Sequence, residues 1–134
     1  MAIVVGYVPK PEGRAALRRA AAEARLRSVP LVVINSTRGG RELDAADNAR
    51  YERELEDLRD QLAVQGVDHE VRQLARGTDP AEDLLAAAEE VDADFIVIGL
   101  RRRTPVGKLI LGSNAQRILL DAPCPVLAVK ADEE

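Results

Sequence analysis

Short runs of aliphatic and β-branched residues recur along this chain, each separated from the next by a segment spaced for a helix. The runs cover residues 3–8, 31–34, 67–74, 94–98 and 126–129. Between the first two, 14–27 is alanine-rich, with Leu17, Ala20, Ala21 and Ala24 on one helical face. Residues 43–65 repeat Tyr51, Leu55, Leu58 and Leu62 as one stripe, while the remaining positions mix charges of both signs and suit a solvated face. Gly66 ends that helix. Asp79 can cap the next, Pro80 suits its first helical position, and Glu82 stands where a capping box wants a carboxylate. That helix runs to about Glu90, and a fourth, 114–121, opens at Ser113.

Such alternation restricts the fold severely. Strands that alternate with helices form a parallel sheet covered on both faces, and right-handed crossovers leave few topologies. The expectation is an α/β fold, an open five-stranded parallel sheet, in one domain spanning 1–134. The run 67–74 is the most polar and suits an edge, whereas 126–129 is apolar and short. The segments 9–13 and 35–40 read as breaks.

Composition excludes several roles. With 46% apolar residues the chain has the makings of a core, and Tyr7, Tyr51 and Phe95 are its only aromatics, so that core is aliphatic. Few aromatics and a net charge of −4 argue against nucleic acid as a partner. The single cysteine, Cys124, allows no internal disulfide, which fits a cytoplasmic location. No run is long and apolar enough for a membrane span, and no basic region precedes the first apolar run. His69 lies on the polar run, far from any carboxylate or thiol cluster, so neither a metal site nor a catalytic triad is expected.

The most informative stretch is 99–113, GLRRRTPVGKLILGS. It follows the apolar run Phe95-Ile96-Val97-Ile98 and precedes a helix, so backbone N–H groups and the positive end of a helix dipole face the loop. A phosphate suits that place. Gly99 reads either as a point of close ligand approach or as a strand-ending glycine. Ser113 reads as a phosphate donor, a helix N-cap, or both. Arg101 and Arg102 offer guanidinium forks for phosphate, while Arg103 reads as a solvated surface charge. A P-loop is excluded by Arg102 and Leu109, and a dinucleotide fingerprint is absent after the first strand.

The spacing of Gly99, Gly112 and Ser113 resembles the nucleotide loop of the universal stress proteins, in which glycine, two residues, glycine, nine residues and glycine precede serine or threonine. Arg102 stands where the middle glycine belongs. The resemblance extends from Ile3-Val4-Val5-Gly6 to Ala122-Pro123-Cys124-Pro125-Val126-Leu127. It implies strand order 3-2-1-4-5 and a crevice between the first and fourth strands. There an adenine nucleotide (ATP, AMP or cyclic AMP) meets Gly99, Gly112, Ser113 and Asn114, with Arg101, Arg102 and Val8 nearby. Relatives carry an aspartate for adenine where this chain has Val8, so weak or conditional binding is expected. The resemblance also implies a homodimer through the last strand, Val126, Leu127, Ala128 and Val129, acting on client proteins that the sequence does not name. The alternative is an interaction module with a vestigial nucleotide site. ATP hydrolysis is disfavoured, since no general base stands beside the expected phosphates.

Overall fold

A computed structural model describes residues 1–8, 10–35, 45–73, 79–100 and 112–131, with side chains for all of these except 45–48 and 51. The elements follow one another as β1 (Ala2–Tyr7), α1 (Pro11–Arg27), β2 (Leu31–Asn35), α2 (Ala45–Val64), β3 (His69–Gln73), α3 (Pro80–Glu90), β4 (Ala93–Leu100), α4 (Ser113–Asp121) and β5 (Val126–Lys130). The five strands form one sheet in the order β3-β2-β1-β4-β5. All four pairings are parallel, with Val5 opposite Val33 on one side and Val97 on the other.

The central strands are apolar at nearly every position because both of their faces are covered. On one face Ile3, Val5, Tyr7, Val33 and Val97 pack against α1 and α2. On the other, Val4, Val32, Ile34, Ile96 and Ile98 pack against α3 and α4. Small side chains let α1 lie close to the sheet: Ala16, Ala20 and Ala24 are fully buried. Leu55, Leu58 and Leu62 seat α2 through the expected stripe, and truncating one of them to alanine is expected to cost about 2–5 kcal/mol. The side chain of Tyr51, the first residue of that stripe, lies outside the described residues.

One expected boundary is corrected. Residues 9–13 read as a break, yet α1 begins at Pro11. Proline at the first helical position lacks only an N–H that would have no intrahelical partner. Gly13 then sits inside the helix for a packing reason given below. At the other end of α1, Ser28 takes the left-handed conformation (φ 56°) with its N–H on the carbonyls of Ala24 and Arg25. Gly66 (φ 74°) follows α2 as expected.

The two sheet edges differ in chemistry. Along β3, Glu70 and Arg72 are joined at 2.9 Å, and Arg72 also binds Glu90. Along β5 the side chains are apolar as far as Lys130. Leu127 and Val129 pack partly into the α1 side of the core and Val126 into the other side, while Ala128 is exposed.

Candidate functional site

The strand order reverses between β1 and β4, because β1 leads to β2 on one side whereas β4 leads to β5 on the other. Open parallel sheets place ligand crevices beyond the carboxyl ends of strands at such a point. A crevice of about 180 Å³ lies there. Its strand side comprises Gly6 and Val8 from the end of β1, Ile34 from β2, and Ile98 and Gly99 from β4. Its helix side comprises Glu12 and Gly13 of α1, Pro80, Ala81 and Leu84 of α3, and Asn114, Ala115 and Ile118 of α4. A larger cavity, about 630 Å³, lies between α1 and α2 over Leu17, Ala21, Leu58 and Leu62, away from the strand ends.

Two glycines hold the first turn of α1 against the sheet. A Cβ on Gly13 would stand 1.9 Å from the carbonyl oxygen of Val8, and one on Gly99 would stand 2.0 Å from that of Glu12. Both distances are far inside contact, so each position requires glycine, Gly99 where β4 meets α1 and Gly13 where α1 meets the backbone just after β1. The close approach at Gly99 that the sequence suggests is therefore made by the chain's own backbone, while Gly99 also lines the crevice. The role of Gly13 has no marker in the sequence beyond the proline two residues earlier.

At α4 the structure corrects the expected cap. The N-cap is Gly112, extended at φ −69° and ψ 166°, and no side chain caps the helix. Ser113 is the first helical residue and is exposed. The first intrahelical bond runs from the N–H of Gln116 to the carbonyl of Gly112, so the N–H groups of the preceding turn have no intrahelical acceptor. Asn114, in that turn, lines the crevice. Of the expected site residues, Val8, Gly99 and Asn114 share the crevice, and Gly112 and Ser113 open the helix that borders it. Arg101 and Arg102 lie outside the described residues.

The helix opposite is capped by Asp79 as the sequence suggests, while Glu82, at the capping-box position, gives its carboxylate to Arg117. Asp79 accepts from the N–H of Ala81 at 3.0 Å through Oδ1. Its other oxygen receives Nη1 of Arg117 at 2.6 Å, and Nη2 of the same guanidinium meets Glu82 at 2.7 Å. These partners, the Glu82 bond first, raise the pKa of Arg117 further above its ordinary value. This fork joins α4 to the first turn of α3, and residue spacing held no sign of it.

No group of three or more acidic, histidine or cysteine side chains suited to a metal occurs among the described residues. His69 sits at the start of β3, at the opposite end of the sheet from the crevice, with Nδ1 2.9 Å from the Val67 carbonyl. Cys124 is half-buried just before β5, and burial pushes its pKa up, as does nearby Asp94. No helix among the described residues is long and apolar enough to cross a membrane.

Comparison with known proteins agrees with this arrangement. Residues 1–130 match the universal stress protein family. A universal stress protein of Mycolicibacterium smegmatis is 50% identical over 130 residues, which is 96% of each chain. The structure of a universal stress protein from Archaeoglobus fulgidus superposes with a TM-score of 0.77 at 40% identity, over 97% of this chain and 98% of that one. A structure of the universal stress protein from the same organism in complex with dAMP gives a TM-score of 0.72 at 35% identity, over 97% and 98% of the two chains. With the order 3-2-1-4-5, the glycine-capped helix at the switch point and this likeness over nearly the whole chain, the protein belongs to the universal stress protein family.

Proposed function

We propose that the crevice between β1 and β4 holds an adenine nucleotide, with its phosphates at the start of α4 and its base toward the apolar wall. The observation that carries this reading is the glycine-capped N-terminus of α4, which has no side-chain cap and borders the crevice through Asn114. Gly99, Gly112, Ser113 and Asn114 are the contacts expected, with Arg101 and Arg102 as sources of positive charge and Val8 against the base. The dAMP complex of the Archaeoglobus fulgidus relative supports the ligand class. Val8 can pack on a base but accepts no hydrogen bond from it, so phosphate contacts dominate and binding weakens as salt is added.

In the same reading the protein is a cytoplasmic homodimer of single domains, 1–134, joined through β5 and acting on client proteins in a stress response. The charged edge at β3 and the apolar edge at β5 support that choice of contact, since soluble proteins guard the edges they leave free. A two-fold axis pairs the last strand with its copy. The second reading, an interaction module with a vestigial site, is favoured by Val8, where an aspartate would otherwise meet adenine.

Calorimetric titration of ATP, AMP and cyclic AMP into protein stripped of ligand tests the first reading. Binding with at least one of them is expected, and Gly112→Val is expected to abolish it by blocking close approach to the phosphates. Restoring the family residues, Arg102→Gly with Val8→Asp, is expected to tighten ATP binding. No heat with any of the three, together with a crystal structure in which Arg102 fills the phosphate position, would favour the second reading instead.

A further inference from the structure

We propose that Arg117 keeps the crevice receptive to anions by neutralising the carboxylates on the first turn of α3. The inference rests on the adenine-nucleotide reading above. Helices α3 and α4 both border the crevice with their first turns, through Pro80 and Ala81 on one and Asn114 and Ala115 on the other. The start of α3 is a poor neighbour for a phosphate. Asp79 and Glu82 flank Pro80 and Ala81, Asp83 follows them, and Glu12 lines the crevice from α1. The cap at Ala81 engages only one oxygen of Asp79.

Arg117 answers this charge from α4. One guanidinium binds Asp79 at 2.6 Å and Glu82 at 2.7 Å, with its Nε 3.9 Å from Asp121. Arg117, Asp79 and Glu82 together carry a net charge of −1, and without the arginine they carry −2. Charges near a partly exposed cleft interact through an effective dielectric between those of protein and water, and salt screens them. The cost of losing Arg117 therefore grows with the negative charge of the ligand. A purely geometric role for the fork would weaken all ligands that share the base and sugar to the same degree.

The test is binding of adenosine, AMP and ATP at low salt to the native protein, Arg117→Met, Glu82→Gln and the double variant. Arg117→Met is expected to leave adenosine unchanged and to weaken AMP and ATP progressively, by roughly threefold per unit of ligand charge. Glu82→Gln alone is expected to tighten AMP and ATP by a similar factor, and this exposed substitution keeps the assay decisive if Arg117→Met folds poorly. The double variant restores the charge of the group and is expected to return ATP binding to within about twofold of native. Equal losses for all three ligands, no loss at all, or no rescue in the double variant each overturn the proposal while leaving the nucleotide reading intact. A native protein that binds none of the three ligands overturns both.

Discussion

Gly13 and Gly99 meet backbone rather than side chains where a Cβ would stand, at 1.9 and 2.0 Å. Backbone cannot swing aside as a side chain can, whether in α1 at Glu12 or just after β1 at Val8, so Gly13→Ala and Gly99→Ala are each expected to destabilise the protein by about 1–3 kcal/mol. Gly6→Ala is the control. Its Cβ would meet Leu84 at 3.6 Å, an ordinary contact, and the expected change is within about 1 kcal/mol. Urea midpoints for the three variants check this, and equal midpoints for Gly6→Ala and Gly99→Ala would contradict the packing argument. Cys124 makes a second prediction at this scale. With its pKa pushed up by burial and by Asp94, the thiol stays protonated at neutral pH. Since the thiolate is the nucleophile, alkylation by iodoacetamide is expected to be slower at pH 7 than that of a free cysteine peptide. Its rate should keep rising beyond the pH at which the peptide levels off.

Among the elements, β5 carries the clearest design. The carbonyl of Pro125 and the N–H of Ala131 both bond to β4, so by strand alternation the backbone groups of Leu127 and Val129 also face β4 and those of Ala128 face outward. Ala128→Pro therefore removes an outward donor while sparing the pairing with β4. It is expected to convert a dimer to a folded monomer, read by sedimentation velocity together with circular dichroism. Leu127→Lys would also weaken a dimer, but Leu127 packs into the core against α1, so the loss would mix association with stability. At α3 the cap itself is testable. Asp79→Ala removes the bond to Ala81 together with the Arg117 contact, and is expected to cost about 1–2 kcal/mol in thermal or denaturant unfolding, most of it from the cap because the ion pair is partly exposed.

For the whole molecule, the arrangement of layers explains why one end of the sheet collects the candidate chemistry. All five strands are parallel, so their carboxyl ends share one side. The first turns of α1, α3 and α4 come to that side, and all three meet at the β1–β4 reversal. Dependence on salt is the property expected of a ligand held chiefly by its phosphates. ATP affinity should fall as sodium chloride rises from 50 to 500 mM, about the range over which the screening length shortens from roughly 14 to 4 Å. Adenosine affinity should change little, and parallel behaviour of the two would argue that the base, not the phosphate, dominates.

The order and type of the elements were legible in the sequence because burial on both faces demands unbroken aliphatic runs and the helices demand their own spacing. Asp79 as a cap, Leu55, Leu58 and Leu62 as a stripe, and the polar edge at β3 are local consequences of local residues. Gly99, Gly112 and Ser113 drew attention through a spacing that resembles the loop of a family, and the chain's membership of that family is shown by the match over residues 1–130. What the glycines touch was not legible. That Gly99 meets Glu12, and that one arginine on α4 binds two carboxylates on α3, depend on distances between segments far apart in the chain. Periodicity reports which face of an element is buried, because that is a property of the element. Which residue waits on the other side is decided only when the crossovers bring helices and strands together at fixed separations.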